Sequence, residues 1–362
     1  MSTKRSTVLF WTNSISDMLD GYVYGIGVQL YFWAQAFAHH KWQVATFTYH
    51  QSFTQDGIHF KHISLWGRFE ILHEWLSAIW NLIIQRPRLV VFRGAARTVF
   101  PLAVVSKLFG VRLLLFSASD SDFEIGKELI AGGAYNRKLW QKSVCKIPLV
   151  VVQNQYQKNM LQQNYGKEGL LLFNIWGLTD HFKINVSDII PCTDVVWVAN
   201  FRRLKRAEWV INAARTMSDY KFTLIGGPSK DHSYYDEIEQ AANTLPNLLF
   251  LGKKSFAETN AIISHSKIVC CTSVFEGFPN TFLQAWSNGI PVISTVNPSN
   301  LIITYRLGVL VDSEVEFQKQ IQALMQNASI YGEMRQNIRA YFTANHAADT
   351  NYKKLMGYID NS

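Results

Sequence analysis

The run KIVCCTSVFEGFPNTFLQAWSNGIPVIST (267–295) holds a complete strand–loop–helix–strand unit. KIVCCTS is short, apolar and without a polar alternate face, so it reads as a strand buried on both sides. Pro279 marks a helix start, Asn288-Gly289 marks its end, and Pro291 opens the next strand, PVIST. Strands of this kind, separated by helices, belong to parallel sheets covered on both faces.

The same unit repeats outward from this run. TDVVWVAN, KFTLIGG and NLLFLG read as further strands of the second half, with helices at 207–217, 233–243, 256–265 and 280–288. Ser255 and Glu258 make a capping box at the start of the third of these. The first half runs through TVLFWT (7–12), WQVATFTY (42–49), RLVVFRG (88–94), VRLLLFSAS, PLVVVQN (148–154) and GLLLFNI (169–175). Helical spacing appears in GVQLYFWAQAFAHH, in 69–84 and in FPLAVVSKLFG. Polar GLTDHFKINVSDIIP (177–191) has the character of a linker. The fold class expected is therefore α/β, with two doubly wound Rossmann-like domains facing a central cleft.

Composition agrees with two packed domains. The chain has 362 residues, of which 48% are hydrophobic and 17% charged, which excludes disorder. Cys145, Cys192, Cys270 and Cys271 fit neither a disulfide framework nor a Cys-x-x-Cys metal site, and point to a reducing compartment. Lys4 and Arg5 precede only the short run VLFW, so no signal peptide is read. The 69–84 stretch is broken by His73, Glu74 and Asn81 and is too short to span a bilayer, which needs about 20 apolar residues. Its apolar face is expected to cover a sheet, with membrane binding as the rival reading.

Charge divides unevenly. Residues 1–180 carry 18 basic and 11 acidic side chains, +7, against 17 and 16, +1, in the remainder. Eight of the eleven tryptophans also lie before residue 181. A basic, aromatic first half suits phosphate, an anionic lipid surface or nucleic acid, or is plain solvated surface over core aromatics. No nucleic-acid recognition motif accompanies it, so nucleic acid is not expected as a partner.

Ligands of such sheets bind beyond the carboxyl ends of the strands. After KIVCCTS come Glu276, a close-turning Gly277, and a helix start at Pro279 that leaves the Asn280 and Thr281 amides free for phosphate. Gln284 lies one turn on, on the same helix face as Asn280. A carboxylate, free amides and an amide side chain together make a surface for a sugar diphosphate. Arg202, Arg203, Lys205 and Arg206 crowd the loop after TDVVWVAN, either to neutralise a diphosphate or as a solvated basic turn.

These residues resemble the donor-site signature of GT-B retaining glycosyltransferases of family 4, the glycosyl transferases group 1. Glu276, Gly277, Phe278, Pro279, Asn280, Gly289, Pro291 and Val292 carry the resemblance. It implies that Glu276 binds hydroxyls of the transferred sugar and that Phe278–Thr281 hold sugar and diphosphate. Gln284 stands where the family has a second glutamate, which grips the ribose. Lys205 matches the family lysine; Asn200 stands where an arginine is usual, and Arg202, Arg203 and Arg206 in the same loop are its candidate replacements.

In the first half, Gly25 and Gly27 resemble the family's first glycine-rich loop. Asp120 and Asp122 stand where many members have a histidine. Asp120 either steers the acceptor hydroxyl or belongs to an ordinary helix cap. Arg93 either meets an anionic acceptor or is structurally paired.

The resemblance implies domains at 1–180 (acceptor), 181–340 (nucleotide sugar) and 341–362 (a helix crossing back to the first). The activity expected is a retaining hexosyl or related transfer (EC 2.4) from a nucleotide-sugar donor to a saccharide or lipid-linked acceptor in surface polysaccharide or lipopolysaccharide synthesis. It needs no cofactor and no metal, the cations replacing one, and it takes place in the cytoplasm or at the inner membrane face, against anionic lipid. The alternative is a catalytically weak relative that binds nucleotide sugar or glycan without turnover.

Overall fold

The computed structural model describes residues 6–12, 14–19, 25–48, 51–62, 70–128, 130, 133–177, 193–229, 231–276 and 278–362. Linker residues 178–191 and Gly277 lie outside the described residues. The chain divides into two compact units, Met1–Leu178 with Asn345–Ser362, and Thr179–Ala344.

In the first unit the order is β1 (Thr7–Phe10), α1 (Ser14–Leu19), α2 (Gly25–His39), β2 (Gln43–Thr48), β3 (Phe53–Gln55), β4 (Ile58–His62) and α3 (Glu70–Gln85). It continues with β5 (Leu89–Arg93), α4 (Val99–Leu108), β6 (Arg112–Phe116), α5 (Gly133–Lys146), β7 (Leu149–Val152), α6 (Gln155–Tyr165) and β8 (Leu170–Leu171). The sheet order is β3-β4-β2-β1-β5-β6-β7-β8, and every pairing is parallel except β3 with β4. The order in which strands are added thus reverses between β1 and β5, the point where such sheets open a crevice.

Apolarity on both faces explains the strands: Val8, Leu9 and Phe10 are wholly buried, as are Val90 and Val91 of β5. GLLLFNI pairs as a strand only at Leu170–Leu171. Beyond Leu172 the backbone leaves the ladder, because Asn174 and Ile175 bond to side chains of other elements. The region 341–362, expected to be one helix, instead holds the end of one helix and the whole of a second, broken at buried His346 and at Ala347. The second, Ala348–Asp360, lies in the first unit. It packs on α2, where the His40 ring stacks on Tyr352 at 3.8 Å and Trp42 Nε1 donates to Tyr352 Oη at 2.8 Å. Arg112 donates to the Ile359 carbonyl.

The second unit holds β9 (Val195–Val198), α7 (Glu208–Thr216), β10 (Phe222–Ile225), α8 (His232–Asn243), β11 (Leu248–Phe250), α9 (Phe256–Ser264) and β12 (Ile268–Cys271). Then come α10 (Asn280–Ser287), β13 (Val292–Ser294), α11 (Leu301–Tyr305), β14 (Gly308–Leu310), α12 (Glu314–Gln326) and α13 (Ala328–Asn345). Its all-parallel sheet runs β11-β10-β9-β12-β13-β14, with the reversal between β9 and β12. The Ser255–Glu258 capping box starts α9 as expected, and Gly289, at φ +67°, follows the end of α10. Both units are Rossmann-like. Among the described residues no helix is long and apolar enough to cross a membrane.

Helix α3 does cover the sheet: Leu82 is buried, with Trp75 and Ile79 packed against the same core. It also presents Leu76, Trp80, Ile83 and Ile84 to solvent. At 100° per residue these four fall on one arc beside the buried face, so the helix is apolar over twice the width its sheet contact uses.

Candidate functional site

The loops after β9 and β12 meet at the reversal of the second sheet, and the candidate donor residues sit on them. Arg203–Lys205 form a single 3-10 turn after β9, and Lys205 Nζ donates to Glu276 Oε1. Ser273 Oγ donates to the same oxygen at 3.1 Å. Glu276 Oε2 accepts from no described residue, and the Glu276 side chain stays 24% exposed against 15% for Lys205. The carboxylate is thus oriented through one oxygen and open at the other.

Thr272 holds the two loops together. Its hydroxyl proton is shared between the carbonyls of Lys205 (2.6 Å) and Arg206 (2.9 Å), while Trp197 Nε1 donates to its oxygen at 3.1 Å. Arg206 Nε returns a bond to the Thr272 carbonyl at 2.5 Å. A backbone bond joins Val274 N to the Leu204 carbonyl at 2.8 Å. Sequence reasoning missed Thr272 and Ser273. The Ser273–Glu276 pair does follow the S-x-x-E spacing, here spent on orienting a carboxylate rather than on a helix start.

The four cations of the loop part ways. Arg203 pairs with Asp231 and Glu237 and lies over the Tyr234 ring. Arg206 is bonded to the carbonyls of Thr272 and Ser273 and lies 4.2 Å from the Trp209 ring centroid. Lys205 orients Glu276. Arg202 is exposed, and its side chain has no partner among the described residues.

Pro279 caps α10 with extended backbone and without any side-chain cap bond, so no capping side chain takes up the N–H groups that start the helix at Asn280 and Thr281. Phe278 packs edge-on against Phe282 and Trp286, which anchors the loop over the helix. Gln284 is 4% exposed, and its side-chain amide makes no bond among the described residues.

In the first unit the candidate residues gather at the other reversal. Gly25 begins α2, Gly27 is buried in its first turn, and Arg93 ends β5. Asp122 is buried, and its Oδ2 accepts from the amides of Ala118 (2.7 Å) and Ser119 (3.2 Å) in a capping box with Ser119. Burial pushes its pKa up, against these bonds and Arg93. Asp120 is exposed and accepts from Asn154 Nδ2 (2.8 Å) and Gln157 Nε2 (2.9 Å). The cap in this stretch is therefore made by Ser119 and Asp122, and Asp120 is held by side-chain amides. Among the described residues no three His, Cys, Asp or Glu side chains gather as a metal site.

Residues 192–327 match the family model of glycosyl transferases group 1. No curated protein matches the sequence. Among solved structures, sucrose-phosphate synthase from Thermosynechococcus elongatus aligns over 99% of this chain and 100% of its own, at 15% identity and TM-score 0.69. An alpha-glucosyltransferase in complex with UDP-glucose and DNA aligns over 98% and 99%, at 9% identity and TM-score 0.64. WaaG, a glycosyltransferase involved in lipopolysaccharide biosynthesis, aligns over 96% and 98%, at 13% identity and TM-score 0.62. The chain thus has the two-unit fold of GT-B glycosyltransferases, and the family match falls on the unit that holds Lys205 and Glu276.

Proposed function

We propose that the chain is a retaining, nucleotide-sugar-dependent glycosyltransferase, and the Glu276–Lys205 pair beside the uncapped N-terminus of α10 is the observation that carries this reading. The free Oε2 of Glu276 takes sugar hydroxyls. Arg202, the α10 amides and Lys205 neutralise the diphosphate as the glycosidic bond breaks, which is when negative charge on the leaving group peaks. In a retaining transfer the acceptor hydroxyl attacks on the face the diphosphate leaves, and the leaving diphosphate takes up the hydroxyl proton. These cations stand in the place of a metal, and no cofactor enters the scheme.

The acceptor is a saccharide or lipid-linked saccharide, used on the cytoplasmic side of surface polysaccharide synthesis; the role of WaaG in lipopolysaccharide synthesis supports that setting. Exposed Leu76, Trp80, Ile83 and Ile84 on α3, with exposed Arg86 and Lys107 nearby, support contact with an anionic membrane. Nucleic acid is not among the proposed partners, although two structures of an alpha-glucosyltransferase among the neighbours were solved with DNA; DNA affinity that falls steeply with salt would reverse this.

A thermal-shift screen against UDP-, GDP- and ADP-sugars tests the donor reading. A ligand at 100 times its Kd adds about 2.7 kcal/mol to stability, and Lys205→Ala and Glu276→Ala remove transfer while the fold persists. No shift with any nucleotide sugar would overturn the proposal. Buried, uncharged Gln284 favours one second reading, a relative that binds without turnover. Tight nucleotide-sugar binding without transfer or hydrolysis would select it.

A further inference from the structure

The second unit carries a groove at the end of its sheet opposite the donor residues. It encloses about 420 Å³, a volume that takes a small ligand, between the end of α7 and one face of α12. Residues 216–220 line one side; Val315, Gln318, Lys319, Gln322 and Gln326 line the other. The 216–220 segment leads into β10, so the groove lies at the amino ends of the strands. Lys205 and Glu276 follow β9 and β12, at the carboxyl ends.

One wall is fixed and the other is patterned. Asn247 Nδ2 donates to the carbonyls of Ala214, Met217 and Tyr220 at 3.0, 3.0 and 3.1 Å, which sets the shape of the chain after α7. Helix α12 buries Phe317, Ile321 and Leu324 in the core of the unit and gives a second face to the groove. Glutamines at 318, 322 and 326 stack on that face one turn apart. Gln318 Oε1 accepts from Thr216 Oγ1 at 3.2 Å, which ties the two walls together and leaves the Gln318 NH2 group facing no protein acceptor among the described residues. Gln322 and Gln326 are exposed, and their side chains have no partner among the described residues.

The lining selects the chemistry of a ligand. Three amides in a row offer donors and acceptors together, as a run of hydroxyl groups requires. Asp219 and Lys319 bring one charge of each sign, and neighbouring Arg215 is turned to Asn212 Oδ1 at 3.0 Å. The partial negative charge at the C-terminus of α7 disfavours a phosphate or polyanion on that wall. Met217 and Val315, the latter 79% exposed, add apolar contact for the C–H face of a sugar ring. We infer that this groove is a second saccharide site, fit for an uncharged oligosaccharide and separate from the donor site. The inference goes beyond the donor reading and does not depend on it.

The test is an NMR titration of the 15N-labelled full chain with maltotriose, cellotriose and N-acetylchitotriose, with dextran sulfate as the charged control. At least one neutral trisaccharide is expected to shift the side-chain amides of Gln318, Gln322 and Gln326 saturably. Replacing both exposed amides, Gln322→Ala with Gln326→Ala, weakens that binding at least tenfold and leaves the melting temperature and UDP affinity of the chain unchanged. Ser218→Trp, which fills the groove from the opposite wall, has the same effect. Three outcomes would overturn the inference: no trisaccharide shifts these amides, the variants bind as wild type does, or the shifts gather at Lys205 and Glu276 instead. Tighter binding of dextran sulfate than of any neutral trisaccharide would overturn the assignment of ligand class. Failure of every nucleotide sugar to bind would sink the donor reading and leave this measurement standing.

Discussion

Replacing Gly226 with alanine puts a methyl carbon 1.8 Å from the Ala199 carbonyl oxygen and 3.2 Å from the Phe201 ring. An ordinary C···O contact is about 3.3 Å, so the two strand ends must part by about 1.5 Å. Neither is free to move. Gly226 N donates to the Gly252 carbonyl, Ala199 N to Ile225, and Phe201 N to Gly227, at 2.9, 3.1 and 3.0 Å. Overpacking against fixed backbone costs about 1–3 kcal/mol, which lowers the melting temperature of a unit this size by about 4–8 °C if the cost is about 2 kcal/mol. The displaced segment leads directly into Arg202–Lys205. A misplacement of about 1 Å near reacting groups costs on the order of 100-fold in rate. Gly227→Ala is the control, since its new methyl meets only the flexible Lys253 side chain, at 3.5 Å. Differential scanning fluorimetry and UDP titration of the two variants provide the assay. Equal melting temperatures and equal UDP affinities would refute the reasoning.

Three further outcomes are expected. Arg202→Ala lowers UDP affinity about tenfold, while Arg203→Ala, whose ion pairs are exposed and screened by solvent, leaves it unchanged; titration of both separates a ligand cation from a structural one. Burial lowers the His346 pKa to about 4, so between pH 6.5 and 4 the unfolded chain binds a proton that the folded chain does not. Stability therefore falls as pH drops through that window, by about 1.4 kcal/mol per unit at most, and His346→Asn removes the slope in urea titrations. Trp80, 66% exposed, can become glutamate with little change in melting temperature, and Trp80→Glu is expected to abolish sedimentation with anionic vesicles; unchanged sedimentation counts against membrane contact through α3.

The strand–helix alternation was legible because each buried strand is apolar on both faces, and the turn chemistry at Ser255 and Gly289 sits where local rules put it. Helices α5 and α6 went unread, since GAYNRKLWQKSVCK and QYQKNMLQQNY bury few residues and show no strong apolar period. The site residues divide along the same line. Glu276, Pro279 and Lys205 announce themselves through neighbours in the chain. Which arginine is left for a ligand depends on Asp231 and Glu237, tens of residues away, and no local pattern reveals it. Asn174 and His346 act on each other across 172 positions, and only the fold brings them together.

The helix Ala348–Asp360 belongs to the unit whose synthesis begins first, yet the ribosome makes it only after the entire second unit. Phe37, Trp42 and His40 thus wait for Tyr352 through the synthesis of more than 160 residues. At about 5–20 residues per second that is on the order of ten seconds or more. During that interval Phe37, His40 and Trp42 lack the Tyr352 ring that packs on them in the finished unit. The two units therefore cannot mature in the order of their synthesis: the second can close its core while the first still lacks its last wall.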